Sequence, residues 1–154
     1  KFKKTCEILK AKYLITDLDD KTDKPLKQKE MIKTILSTIP TKKFDAVFTH
    51  NKNGEYGHLR HIETHKAVKK LVKNSLIKTK KFWVFDYLPG NVSSPHDSEI
   101  KIPIANKKAD WFVKLTKKDF ETKKSLIKKI HGFHEKSFEF AACGDAEAFS
   151  IMEL

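Results

Sequence analysis

The chain has 154 residues, with 32 Lys+Arg against 20 Asp+Glu and a formal net charge of +12. A hydrophobic fraction of 39%, spread along the whole length, is enough for the core of one ordinary domain and excludes wholesale disorder. No apolar run approaches the roughly 18–20 residues of a membrane span, and Cys6 and Cys143 stand too far apart in sequence for a disulfide scaffold or a metal-type pair.

Phe2, Cys6, Leu9 and Tyr13 recur at helical spacing and predict a first helix. The chain opens Lys-Phe-Lys-Lys, without Met and already inside this pattern, and so reads as a fragment. Asp23 is a candidate N-cap with Pro25 near the helix start, and Leu26, Ile32, Ile35, Leu36 and Ile39 form a second apolar stripe that Pro40 stops. Residues 44–49 read as a short buried strand, followed by the turn-rich Asn51-Lys52-Asn53-Gly54. The helical period returns over residues 59–73 through Ile62, Val68, Leu71 and Val72, and residues 82–85 give another strand.

Residues 88–106 hold three of the five prolines and predict a long loop, in which Ile100, Ile102 and Ile104 alternate as a short strand. Residues 111–113 read as a strand and residues 119–130 as a lysine-rich amphipathic helix. Residues 137–140 and 147–151 read as extended or mixed segments. Helices alternating with short apolar strands predict an α/β layered domain with a mainly parallel sheet.

Every basic residue except Arg60 is lysine, so the positive charge is not that of an arginine-rich phosphate reader. Runs such as Lys69-Lys70 and residues 78–81 read as solvated faces, and no nucleic-acid partner is expected. With no charged-then-apolar opening segment, a cytoplasmic location is expected.

One stretch concentrates chemistry. Residues 49–65 contain His50, His58, His61 and His65, placed between a strand and a helix, where ligand sites of parallel sheets collect. His58, His61 and His65 are three and four apart and share a helix face, so they can ligate zinc or divide metal binding from proton transfer. Glu63 lies in His-x-Glu-x-His order, which is not the zincin pattern. Gly54 and Gly57 let the backbone turn sharply on either side of Glu55-Tyr56.

Thr49-His50-Asn51, then Gly54-Glu55-Tyr56-Gly57-His58 and then His61, closely resemble the second signature motif of the PIG-L/LmbE-like family of zinc-dependent N-acetylglucosaminyl deacetylases. Weaker echoes lie around Glu7, Ala11 and Leu14, and in residues 137–139 and 147–149. The resemblance implies a Rossmann-like three-layer domain spanning residues 1–154, without its N-terminal strand. It also implies Zn2+ as cofactor and an N-acetylated amino-sugar conjugate as substrate. By the same resemblance His61 is a zinc ligand, and His58 stabilises the tetrahedral intermediate or protonates the leaving amine. Tyr56 polarises the acetyl carbonyl. Asn51, Glu55 and Arg60 are candidate substrate-binding residues, with Glu55 either accepting from a sugar hydroxyl or capping the turn.

The family's first motif, His-Pro-Asp-Asp-Glu, which supplies the aspartate base and the other two zinc ligands, does not occur in the chain. Asp19-Asp20 lacks a preceding His-Pro. Pro95-His96-Asp97-Ser98-Glu99 has an altered order and reads as a polar loop. Arg60 stands where many members carry an acid, and it cannot accept a hydrogen bond. Only one zinc ligand being recognised, weak or no zinc binding by this chain is expected. A glycan-binding pseudoenzyme and a lysine-rich nucleic-acid-binding domain are the alternatives. His65, His131 and His134 are expected in structural or exposed positions, and oligomeric state is open, a homo-oligomer included.

Overall fold

A computed structural model describes residues 1–19, 22 and 24–153. Asp20 of the Asp19-Asp20 pair and the expected cap Asp23 lie outside them. The chain divides into two compact units, one of residues 14–86 with 149–154, the other of residues 1–13 with 87–148.

The first of these carries the histidine-rich stretch. Helix α2 (Gln28–Thr38) follows Pro25 and stops before Pro40, which cannot continue it. Strand β1 (Lys43–Thr49) leads through a tight turn, α3 (Gly54–Gly57), into helix α4 (Leu59–Lys73), which returns the chain to strand β2 (Lys78–Phe85). β1 and β2 are parallel, with Val47 opposite Phe82 and Thr49 opposite Val84. Two parallel strands need a crossover of this kind, and α4 supplies it.

The apolar stripes predicted for α2 and α4 meet on one side of this pair. Leu71, Val72, Ile77 and Phe82 form the buried centre, and Ile32, Ile35, Leu36, Ile39, Phe44, Val47, Val68 and Met152 pack around it. Residues 149–151, the end of strand β6 (Ala146–Ile151), pair antiparallel with β2, Phe149 lying opposite Phe85.

In the other unit, helix α1 (Phe2–Ile8) is shorter than its stripe predicted. Lys10 takes a positive φ of 53°, and Tyr13, beyond the helix, meets Phe2 edge-on. The short strand expected around Ile100–Ile104 is β4 (Lys101–Ala105), and it pairs antiparallel with β3 (Tyr87–Ser93), a strand where loop was expected. Strand β5 (Trp111–Lys114) precedes helix α5 (Lys117–Ser125), whose last turns widen into a π-helical segment over Leu126–His131. Gly132, at φ 78°, closes that segment in the left-handed conformation. Residues 137–140, read as extended or mixed, fall in a short helix α6 (Phe138–Ala141) with Ser137 as its cap.

The protein is therefore mixed α/β. Its parallel pairing is found at β1–β2, whereas β2–β6 and β3–β4 are antiparallel. The expectation of a mainly parallel sheet rested on helix–strand alternation, and the hairpin hidden behind prolines breaks that alternation. Among the described residues no helix is long and apolar enough to cross a membrane.

Candidate functional site

The site is assembled at the carboxyl end of β1. His50 is the first residue beyond the strand, and the chain must then reverse into α4 within eight residues. It does so through positive φ angles at Gly54 (63°), Glu55 (62°) and Gly57 (92°). For Glu55 this conformation is costly, by about 1–3 kcal/mol, and it persists only where surrounding contacts over-determine it.

Those contacts converge on the Glu55 carboxylate. Oε1 accepts the backbone N–H of Asn51 at 2.8 Å, and Oε2 lies 2.9 Å from His50 Nδ1 and 2.6 Å from His61 Nδ1. The side chain is 9% exposed. Burial alone raises a carboxyl pKa, but the hydrogen bonds from His50, His61 and Asn51 outweigh it and hold Glu55 at about 2. An ionised carboxylate only accepts, so both Nδ1 atoms carry the shared protons.

The rings pack as tightly as the polar atoms. His50 and His61 stack with centroids 3.7 Å apart and planes within 10°. His58 lies 4.4 Å from His61 and Tyr56 5.7 Å from it, ring to ring, while Phe85 covers His50 at 5.6 Å. His61 thus touches three of the four rings in the motif.

His65 anchors the arrangement from behind. It is 4% exposed, and its Nδ1–H donates to the His50 carbonyl at 2.8 Å, tying the first residue after β1 to the second turn of α4. Burial lowers its pKa, only partly opposed by that hydrogen bond, so the ring is held toward the neutral form.

The remaining sequence candidates have local partners. Asn51 Oδ1 accepts the N–H of Lys52 at 2.6 Å and shapes the turn. Arg60 Nη1 meets Glu63 Oε2 at 2.7 Å, and its Nη2 donates to the carbonyls of Thr22 and Lys24 at 2.5 and 3.0 Å. Glu63 Oε1 accepts the N–H of Leu26 at 2.8 Å, so Arg60 and Glu63 together pin the segment before α2 onto α4. In the other unit His131 Nε2 is 2.9 Å from Thr5 Oγ1, a structural position of the expected kind.

His58, Tyr56 and His61, named from the motif, are brought together. His50 was quoted in the motif without a role, and Glu55 carried two open readings; the structure puts both beside His61. The signal for His50 was its position directly after the β-prone run of residues 44–49, although β1, read as buried, is buried only at Thr49 and leaves Phe48 45% exposed. Two imidazole nitrogens and a carboxylate oxygen, all within 4.8 Å of one another, make His50, Glu55 and His61 a group that could hold a metal ion. Such mixed N/O donors suit zinc.

The turn itself is testable. At Gly54 an added Cβ would lie 2.8 Å from Ile62 Cγ1, on top of the positive φ, whereas at Gly57 nothing lies within 4 Å. Gly54→Ala is expected to cost about 2–4 kcal/mol and Gly57→Ala about 1–2 kcal/mol. Urea unfolding of the two variants checks the order, and equal losses would show that the turn relaxes freely around Gly54.

Comparison of the chain with protein-family models, with curated proteins and with solved structures finds no match.

Proposed function

We propose that the protein is a zinc-dependent deacetylase that hydrolyses the amide of an N-acetylglucosamine-type amino sugar or glycoconjugate. The observation that carries this reading is the clustering of His58 and Tyr56 around His61 at the end of a parallel strand, in the order that resembles the PIG-L/LmbE-like motif. In the same reading β1–α4–β2 is one repeat of a Rossmann-like, three-layer domain.

Amide hydrolysis needs an electrophilic carbonyl, an activated water, donors aimed at the developing oxyanion and a proton for the leaving amine. Bound zinc supplies Lewis acidity and makes a water acidic enough to act near neutral pH. His61 is the ligand side chain that the motif contributes. His58, ring to ring with His61, donates to the oxyanion and then to the departing nitrogen. Tyr56, from the strained turn, presents a phenol donor to the acetyl oxygen. Arg60 and Asn51 act on the frame, through the contacts that fix α4 and the turn.

Zinc-dependent release of acetate from a chitooligosaccharide, assayed for this chain and for any longer product of the same gene, tests the reading. His61→Ala is expected to abolish release. His58→Ala is expected to lower kcat by about 100- to 1,000-fold. Full activity in the His61 variant would overturn the ligand assignment. Sugar binding without acetate release by the longest product would mark a glycan-binding protein instead.

A further inference from the structure

We propose that His50, Glu55 and His61 form a complete three-ligand site for a divalent transition ion of the zinc class, built wholly from this chain. The motif resemblance implies only His61 as a ligand, and it led to an expectation of weak or no zinc binding. The structure adds two donors that the spacing did not assign.

Three backbone elements deliver them: the end of β1 for His50, the positive-φ turn for Glu55 and the first turn of α4 for His61. The meeting point is Glu55 Oε2, 2.9 and 2.6 Å from the two Nδ1 atoms. Donors at zinc distances of about 2.0–2.1 Å in tetrahedral array stand roughly 3.3 Å apart, so the carboxylate needs to withdraw by only about half an ångström. The two N–H protons now bridging to Oε2 are what a cation replaces. In a neutral imidazole that proton moves to Nε2, and the Nδ1 lone pair turns to the metal, with no net change in protons. The stacked rings splay as this happens, because a metal lies in the plane of each imidazole it binds. Both rings have room, being 29% and 27% exposed.

The donor set also selects. Two imidazoles and one carboxylate favour Zn2+, Co2+ or Ni2+ over Mg2+ and Ca2+, which take oxygen ligands in higher number. Three protein ligands leave a fourth position open, the arrangement of catalytic rather than structural zinc. His65 holds His50 through its backbone carbonyl, so the ligand frame is supported from behind.

The site stands or falls independently of sugar deacetylation, since its readouts are binding and ring tautomer. Zn2+ titrated into the purified chain is expected to bind in one-to-one ratio, with millimolar Mg2+ failing to compete. Glu55→Gln and His50→Ala should each weaken binding by at least about 100-fold, more than the loss of a supporting contact gives. His134→Ala should leave it unchanged. Nitrogen-15 NMR of the wild-type rings gives a second readout that needs no variant to fold. His50 and His61 should pass from the Nδ1–H to the Nε2–H tautomer on adding Zn2+. Absence of saturable binding, binding indifferent to both variants, or binding with the Nδ1–H tautomer retained would each overturn the assignment.

Discussion

Replacing Glu63 with alanine is expected to lower the free energy of unfolding by about 3–5 kcal/mol, the cost of leaving one member of a buried ion pair uncompensated. Glu63 is 9% exposed, and the Arg60 side chain opposite it is 12% exposed. The substitution takes the carboxylate from Arg60 and, in the same step, the acceptor from the N–H of Leu26. Glu63→Gln keeps an acceptor and should lose distinctly less. Replacing Arg60 and Glu63 together by methionine should recover only the part of the loss due to the stranded charge, because the Leu26 N–H stays without its acceptor and the Thr22 and Lys24 carbonyls lose their donor. Urea unfolding followed by Trp83, in a Trp111→Phe background, measures all three. A loss below about 1 kcal/mol for Glu63→Ala would mean the pair behaves as a solvated surface bridge.

The second large effect is expected at Glu55. Glu55→Ala removes the acceptor for two imidazoles and one backbone N–H, and it leaves a residue with a Cβ at φ 62°. A stability loss of about 3 kcal/mol is expected from the hydrogen bonds to charge. Glu55→Gly should recover about 1 kcal/mol of that by relieving the backbone. Neither variant should keep the Nδ1–H tautomer that Glu55 imposes on His50 and His61, which nitrogen-15 NMR reads directly. If Glu55→Gly matched the native protein in stability, the carboxylate network would contribute nothing beyond offsetting its own strain.

Much of the frame was legible from periodicity. The helix predicted from Leu59 to about residue 73 is α4, because its apolar stripe is long and nothing interrupts it. The strands at 44–49 and 82–85 were visible as short β-prone runs, and the observed β1 and β2 contain them. Of the hairpin, β4 was visible through the alternation of Ile100, Ile102 and Ile104, but β3 was not, since Pro89 and Gly90 are loop signals by composition. In a two-stranded hairpin both strands are edges, and Pro89 can face Pro103 without breaking a ladder. Gly90 is there because a Cβ would come within 2.6 Å of the Ile102 carbonyl.

In the site, residue types gave the histidines and the glycines, but not their partnerships. His50 meets His61 only because Glu55 sits in a conformation that glutamate rarely adopts, and no spacing rule encodes that. Arg60, read as a departure from the motif, proved to hold the segment before α2 to Glu63. That contact joins residues 36 and 38 positions apart, beyond the reach of local pattern.

The division of the chain carries a practical consequence. Each unit is stitched from two separated stretches, and the backbone passes between them after residues 13, 86 and 148. No single restriction fragment therefore encodes the unit that carries His50 and His61 whole: a piece ending at residue 86 lacks the strand of residues 149–151 that borders β2. Isolating that unit calls for a grafted C-terminal strand or a circular permutation, and a deletion series that trims from either end will damage both units before it separates them.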